Sequence, residues 1–81
     1  MASIDVTDAV IDSIRKLGCD ADQILPVHEL QYDLGIDSTE MIELAALVQN
    51  QFRLESRRIS MGSVKTVSDL VAQVESLISV A

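Results

Sequence analysis

A single serine hydroxyl is set among carboxylates in the middle of the chain. Asp33-Leu34-Gly35-Ile36-Asp37-Ser38 runs directly into Thr39-Glu40-Met41-Ile42-Glu43-Leu44. The serine falls where a glycine-relaxed loop meets the first turn of an amphipathic helix, so its hydroxyl is expected at the surface. A serine nucleophile needs a base beside it and an orienting group behind that base. The chain has no Gly-x-Ser-x-Gly, and its one histidine, His28, lies in a long loop where a solvated side chain is expected. A His28–Ser38 catalytic pair is therefore not expected, and no residue is assigned a catalytic role. Ser38 reads as a residue modified by another enzyme.

The other reactive side chains point to no second chemistry. Cys19 follows Gly18 and precedes Asp20 and Asp22, carboxylates that disfavour the anionic, nucleophilic form of a thiol. As a lone cysteine it has no internal disulfide partner, and no CxxC or Cys/His metal spacing is present. Asp20, Asp22 and Glu29 share one loop but lack the alternating ligands, central glycine and terminal glutamate of an EF-hand, so no metal site is expected.

Four elements would position these residues. Ile4, Val10, Ile11, Ile14 and Leu17 recur at helical spacing over residues 4–17, with Ser3 or Asp5 to cap the start and Gly18 to close the end. Residues 18–37 form a long connection around Pro26 and Gly35. Loops of that length are often functional, and its apolar residues (Ile24, Leu25, Val27, Leu30, Tyr32, Leu34, Ile36) would have to tuck against the helices. A second helix begins at Asp37 or Ser38, where Asp37 and Glu40 resemble a capping box. It carries Met41, Leu44, Ala45, Val48 and Phe52 as its apolar stripe, widened by Ile42 and Leu47, and ends near Phe52. Residues 53–65 read as a loop with one short helix near 58–63. Thr66-Val67-Ser68-Asp69 opens a last helix striped by Val67, Leu70, Val71, Val74, Leu77 and Ile78. No strand alternation is present. Helices of this length are marginal alone in water, so they must bury their stripes against each other.

Composition agrees. Eighty-one residues make one small domain, and an apolar share of 48% suffices for a core, built without much aromatic help from Tyr32 and Phe52. Six basic against thirteen acidic side chains leave a net charge of −7. Such acidity disfavours nucleic acid and anionic membrane and favours partners with basic patches. The first residues carry no basic, apolar leader pattern, and the longest apolar run, Leu44 to Val48, is too short to span a bilayer. A monomeric cytoplasmic protein is expected.

Asp-Ser at a helix start is common and by itself needs no function. The longer string, Asp33-Leu34-Gly35-Ile36-Asp37-Ser38 leading into an apolar-periodic helix, resembles the acyl carrier protein family at its modification site. The likeness extends over nearly the whole chain: its length, first helix and long first loop, Phe52 closing helix two, and Thr66-Val67 opening the last helix. The resemblance implies an all-α fold, a small four-helix bundle of three main helices and one short one, in a single carrier domain over residues 1–81. It implies that Ser38 receives 4′-phosphopantetheine from coenzyme A through a magnesium-dependent phosphopantetheinyl transferase, with Asp37 supporting recognition by that enzyme. It further implies that acyl groups are carried as thioesters on this arm to acyl-loading, condensing or acyl-transfer enzymes. The carrier does no chemistry itself.

In the family the apolar interior can also accept the acyl chain, for which Met41, Ile42, Leu47, Ile59 and Met61 are candidates here. Glu40 and Glu43 are candidate docking residues beside Ser38. Three departures stand out. Thr39 replaces the usual leucine after the serine, Gln49 and Asn50 replace acidic residues of helix two, and Arg53, Arg57 and Arg58 occupy a segment that is usually acidic. Thr39, Arg57 and Arg58 thereby join the candidate docking residues. The expectation is a carrier for a specialised polyketide, secondary-metabolite or unusual-lipid pathway. The alternatives are a housekeeping fatty-acid carrier, or an unmodified interaction module of the same fold.

Overall fold

A computed structural model of the protein describes residues 6–54 and 59–79. Helix α1 spans Val6–Lys16, α2 spans Ser38–Gln51 and α3 spans Val67–Ser79, with a single 3-10 turn at Met61–Ser63 before α3. The architecture among the described residues is all-helical, three helices and one short turn. Among the described residues the only strand-like pairing is an isolated antiparallel bridge between Glu29 and Thr66. The short helix expected near 58–63 is confined to Met61–Ser63 within the described residues, because Gly62 and two serines sustain no longer one. Ile4 and the candidate caps Ser3 and Asp5 lie outside the described residues.

The stripes meet in one core. Val10 and Ile14 of α1, Leu44 and Val48 of α2, and Val67, Leu70 and Val74 of α3 have no solvent exposure. Each such side chain contributes roughly 1.5–3 kcal/mol relative to leaving it in water. α1 packs against both α2 and α3, and the 3-10 turn leans on α2. Ser13 is buried in this core, its hydroxyl directed to Ala9 O at 3.2 Å and to Gln51 Oε1 at 3.4 Å. No helix among the described residues is long and apolar enough to cross a membrane.

The long first loop is only partly apolar inside. Ile24, Leu30 and Ile36 are buried in the helical core. Leu25, Val27 and Tyr32 are exposed, Val27 at 75% and Tyr32 at 86%, contrary to the expectation that the loop tucks in all its apolar residues. Anchors at 24, 30 and 36 are enough to fasten the loop, and the residues between them face out. His28 is also less free than expected. It is half-buried, its Nδ1 accepts the Leu25 N–H at 3.0 Å, and its carbonyl accepts the Val67 N–H at 3.0 Å.

On the far side, the loop before α3 is clamped. Ser60 N–H donates to Gln73 Oε1 at 2.9 Å, and Gln73 Nε2 donates to the Ser60 carbonyl at 3.1 Å. The α3 glutamine thus satisfies both backbone groups of one loop residue.

Candidate functional site

The approach to Ser38 is built turn by turn. Asp33 Oδ2 accepts the Glu29 N–H at 2.7 Å, while the Asp33 and Leu34 N–H groups donate to the Glu29 carbonyl at 2.9 and 3.1 Å. Asp33 therefore closes the turn that precedes the site. Gly35 follows at φ +69°, a left-handed conformation that side chains with a Cβ rarely adopt. Ile36 then drops into the core, and its N–H donates to the Leu30 carbonyl at 3.0 Å. With Ile36 fixed, the next residue must turn outward.

Asp37 makes that turn. Its backbone is extended (φ −87°, ψ −179°), its side chain accepts the Glu40 N–H at 2.8 Å, and its own N–H donates to Glu40 Oε1 at 3.1 Å. Its carbonyl accepts the Met41 N–H at 2.9 Å. The reciprocal capping box read from the sequence is present, with both acids suited to the positive end of the helix dipole. Ser38 is consequently the first helical residue and is exposed. No described residue hydrogen-bonds its hydroxyl.

Beyond Ser38, α2 separates an inner from an outer face. Met41, Leu44 and Val48 are buried, whereas Thr39, Ile42, Glu43, Ala46 and Asn50 are exposed. Glu40 is half-buried at the cap, and Glu43 is exposed on the outer face. Ile42 corrects an expectation. It is 72% exposed and lines no interior, because the helical period that buries Met41 and Leu44 carries the residue between them outward. Met41 and Ile59 are buried, and Met61 and Leu47 are half-buried. An open groove of about 590 Å³ runs beside the outer face, lined by Lys16, Leu17, Glu43, Ala46, Leu47 and Asn50.

The far end of α2 closes on an arginine. Arg53 N–H donates to Asn50 O at 3.3 Å and Leu54 N–H to Gln49 O at 2.8 Å, the two bonds of a Schellman ending. Arg53 sits at φ +56°, where glycine is usual, and Leu54 is buried beyond it. The candidate docking residues Arg57 and Arg58 lie outside the described residues.

Sequence reasoning did not single out Gln73, whose clamp holds the segment after α2; a polar residue on a helix carries no local signal for a partner 13 positions away. Among the described residues, no group of three His, Cys, Asp or Glu gathers to hold a metal. Cys19 is half-buried against the core, with its Sγ 4.0 Å from the Leu34 carbonyl.

The residues around Ser38 suit a phosphodiester-linked group. Ser38 is exposed, it opens a 14-residue helix whose N-terminus favours an anion, and no described residue hydrogen-bonds its hydroxyl. No solved structure matches the chain. A family model described as phosphopantetheine attachment site matches residues 8–74, most of the chain, from within α1 to within α3. The chain therefore belongs to the phosphopantetheine attachment site family, non-catalytic carriers of the acyl carrier protein type that bear a covalently attached 4′-phosphopantetheine.

Proposed function

We propose that Ser38 is the attachment residue and that the chain, one carrier domain over residues 1–81, serves a specialised acyl-processing pathway. The observation that carries this reading is the exposed Ser38 hydroxyl at the first position of α2, free of any hydrogen bond to a described residue. In the transfer, Ser38 Oγ forms a bond to the β-phosphorus of coenzyme A as adenosine 3′,5′-bisphosphate leaves. The Oγ proton passes to a base of the transferase, since no described residue is hydrogen-bonded to that hydroxyl. When attached, the arm supplies a terminal thiol that holds acyl groups as thioesters.

The chain's own residues orient and present. The capping box fixes where the serine emerges, and Asp37 supports engagement of the transferase. The outer face of α2, through Thr39, Glu43 and exposed Ile42, meets acyl-loading, condensing or acyl-transfer enzymes. Exposed charges contribute only about 0–1 kcal/mol each, which gives fast and reversible docking. Thr39, the loss of acidity at Gln49 and Asn50, and the basic residues Arg53, Arg57 and Arg58 favour a dedicated pathway, of polyketide, secondary-metabolite or unusual-lipid type, over general fatty-acid synthesis. The protein works as a cytoplasmic monomer beside its coenzyme A-using partner.

Incubation with coenzyme A, magnesium and a promiscuous phosphopantetheinyl transferase, followed by intact mass measurement, tests the attachment. A gain of one phosphopantetheine, lost in Ser38→Ala, is expected. No gain on the parent protein would leave an unmodified interaction module of the same fold. Efficient elongation of the loaded protein by a general fatty acid synthase would refute the specialised role.

A further inference from the structure

The capping geometry also separates two jobs that a carboxylate beside Ser38 can have. Glu40 is half-buried and spends Oε1 on the Asp37 N–H at 3.1 Å, whereas Glu43, one turn on, is exposed. We infer that Glu40 is a positioning residue for the modification of Ser38, acting through the Asp37 backbone as a hydrogen-bond acceptor and not through its charge. This rests on the reading of Ser38 as the attachment residue.

Two observations carry it. Asp37 precedes the serine, and its N–H, side chain and carbonyl are each bonded into the first turn by Glu40 and Met41. Of these three bonds, only the one to its N–H depends on a side chain other than its own. Glu40 thus closes the circuit that sets the direction in which the Ser38 Cβ leaves the helix. The second observation comes from α3. There Asp69 Oδ2 accepts the Thr66 N–H at 3.1 Å, and Thr66 Oγ1 accepts the Asp69 N–H at 3.1 Å. An acid at the third helical position does the same backbone work at a helix start that carries no attachment residue. The fold therefore uses that position to accept the amide of the capping residue. Asp69 Oδ2 takes the Lys65 N–H as well, at 3.0 Å, whereas among the described residues the Glu40 side chain accepts only the Asp37 N–H. A capping box admits glutamine there as well as glutamate.

The transfer at Ser38, in which the Oγ–phosphorus bond forms as the bisphosphate leaves and the proton goes to the transferase, should then respond to the acceptor. Parent, Glu40→Gln and Glu40→Ala proteins are compared for kcat and KM of phosphopantetheinylation, with hydrogen exchange at the Asp37 amide measured on the unmodified proteins. Glu40→Gln is expected to keep kcat within about twofold. Glu40→Ala should lose about fivefold in kcat and gain about as much in Asp37 amide exchange, the loss expected for one cap interaction. Equal kcat losses in both variants would make charge the cause and overturn the inference. Unchanged kcat or unchanged Asp37 exchange in Glu40→Ala would overturn it as well. Failure of the parent protein to gain mass would instead overturn the attachment reading, and this inference with it.

Discussion

The Leu30 N–H donates to the Lys65 carbonyl at 2.8 Å, so the loop that leads to Ser38 and the entrance to α3 are hydrogen-bonded as one unit. Val67 and Ser68 extend the junction by donating to the carbonyls of His28 and Pro26 at 3.0 and 2.9 Å. The Leu30 carbonyl in turn accepts the Ile36 N–H. One loop residue thereby joins the last helix to the start of α2.

Leu30 should accordingly behave as a core residue despite its place in a loop. Leu30→Ala is expected to destabilise by about 2–5 kcal/mol, since the side chain is fully buried. Val27→Ser, at an exposed apolar position in the same loop, should stay within about 0.5 kcal/mol. Urea denaturation followed by circular dichroism separates the two, and equal losses would contradict the anchoring assignment.

Gly35 should resist substitution for conformational reasons alone. A Cβ there would meet nothing within 4 Å, yet φ is +69°. Gly35→Ala is therefore expected to cost about 1–2 kcal/mol, and Gly35→Asn less, since asparagine tolerates the left-handed region. Thermal melting checks the order of the two variants.

Arg53 offers the converse case. It holds the left-handed conformation at the end of α2 with a side chain, where glycine would relieve the strain. Arg53→Gly should stabilise by about 0.5 kcal/mol or more, net of the added freedom of the unfolded chain. A lower melting temperature in this variant would show that the exposed arginine side chain itself contributes to stability.

Asp69 gives a pH dependence with a defined sign. The backbone N–H groups of Lys65 and Thr66 donate to its carboxylate and hold its pKa below the ordinary value of 3.8. Its contribution is fully present above the unfolded value and is lost as pH falls through the lowered folded value. Asp69→Asn should be less stable than the parent at neutral pH, with the difference shrinking below about pH 4. Urea midpoints across that range measure it, and a difference that stays constant into acid would refute the cause.

Much of this was legible because local signals agreed with one another. The start of α2 was readable from Asp37 and Glu40, and the start of α3 from Thr66 and Asp69, since a capping box is written within four residues. The stripes Val10–Ile14, Leu44–Val48 and Leu70–Val74 followed from period alone. Ile42 was misread because hydrophobicity names a residue but only the helical phase says which way it faces. The loop was harder for the same reason: nothing local distinguishes Leu30, which is buried, from Val27, which is not. Gln73 and Arg53 were invisible for a different reason. A side chain bonding across 13 positions, and an arginine in a glycine conformation, are set by tertiary packing that overrides local preference.

The two helix starts of this chain form an internal control for the residue that precedes Ser38. At α3 the N-terminal hydroxyl of Thr66, which carries no charge, accepts the Asp69 amide at 3.1 Å; at α2 Asp37 does the same for Glu40 at 2.8 Å. A neutral side chain therefore suffices to begin a helix in this fold. The negative charge at position 37 is not needed to make the cap bond itself, and Asp37→Thr would separate the shape of the serine's pedestal from the charge it displays.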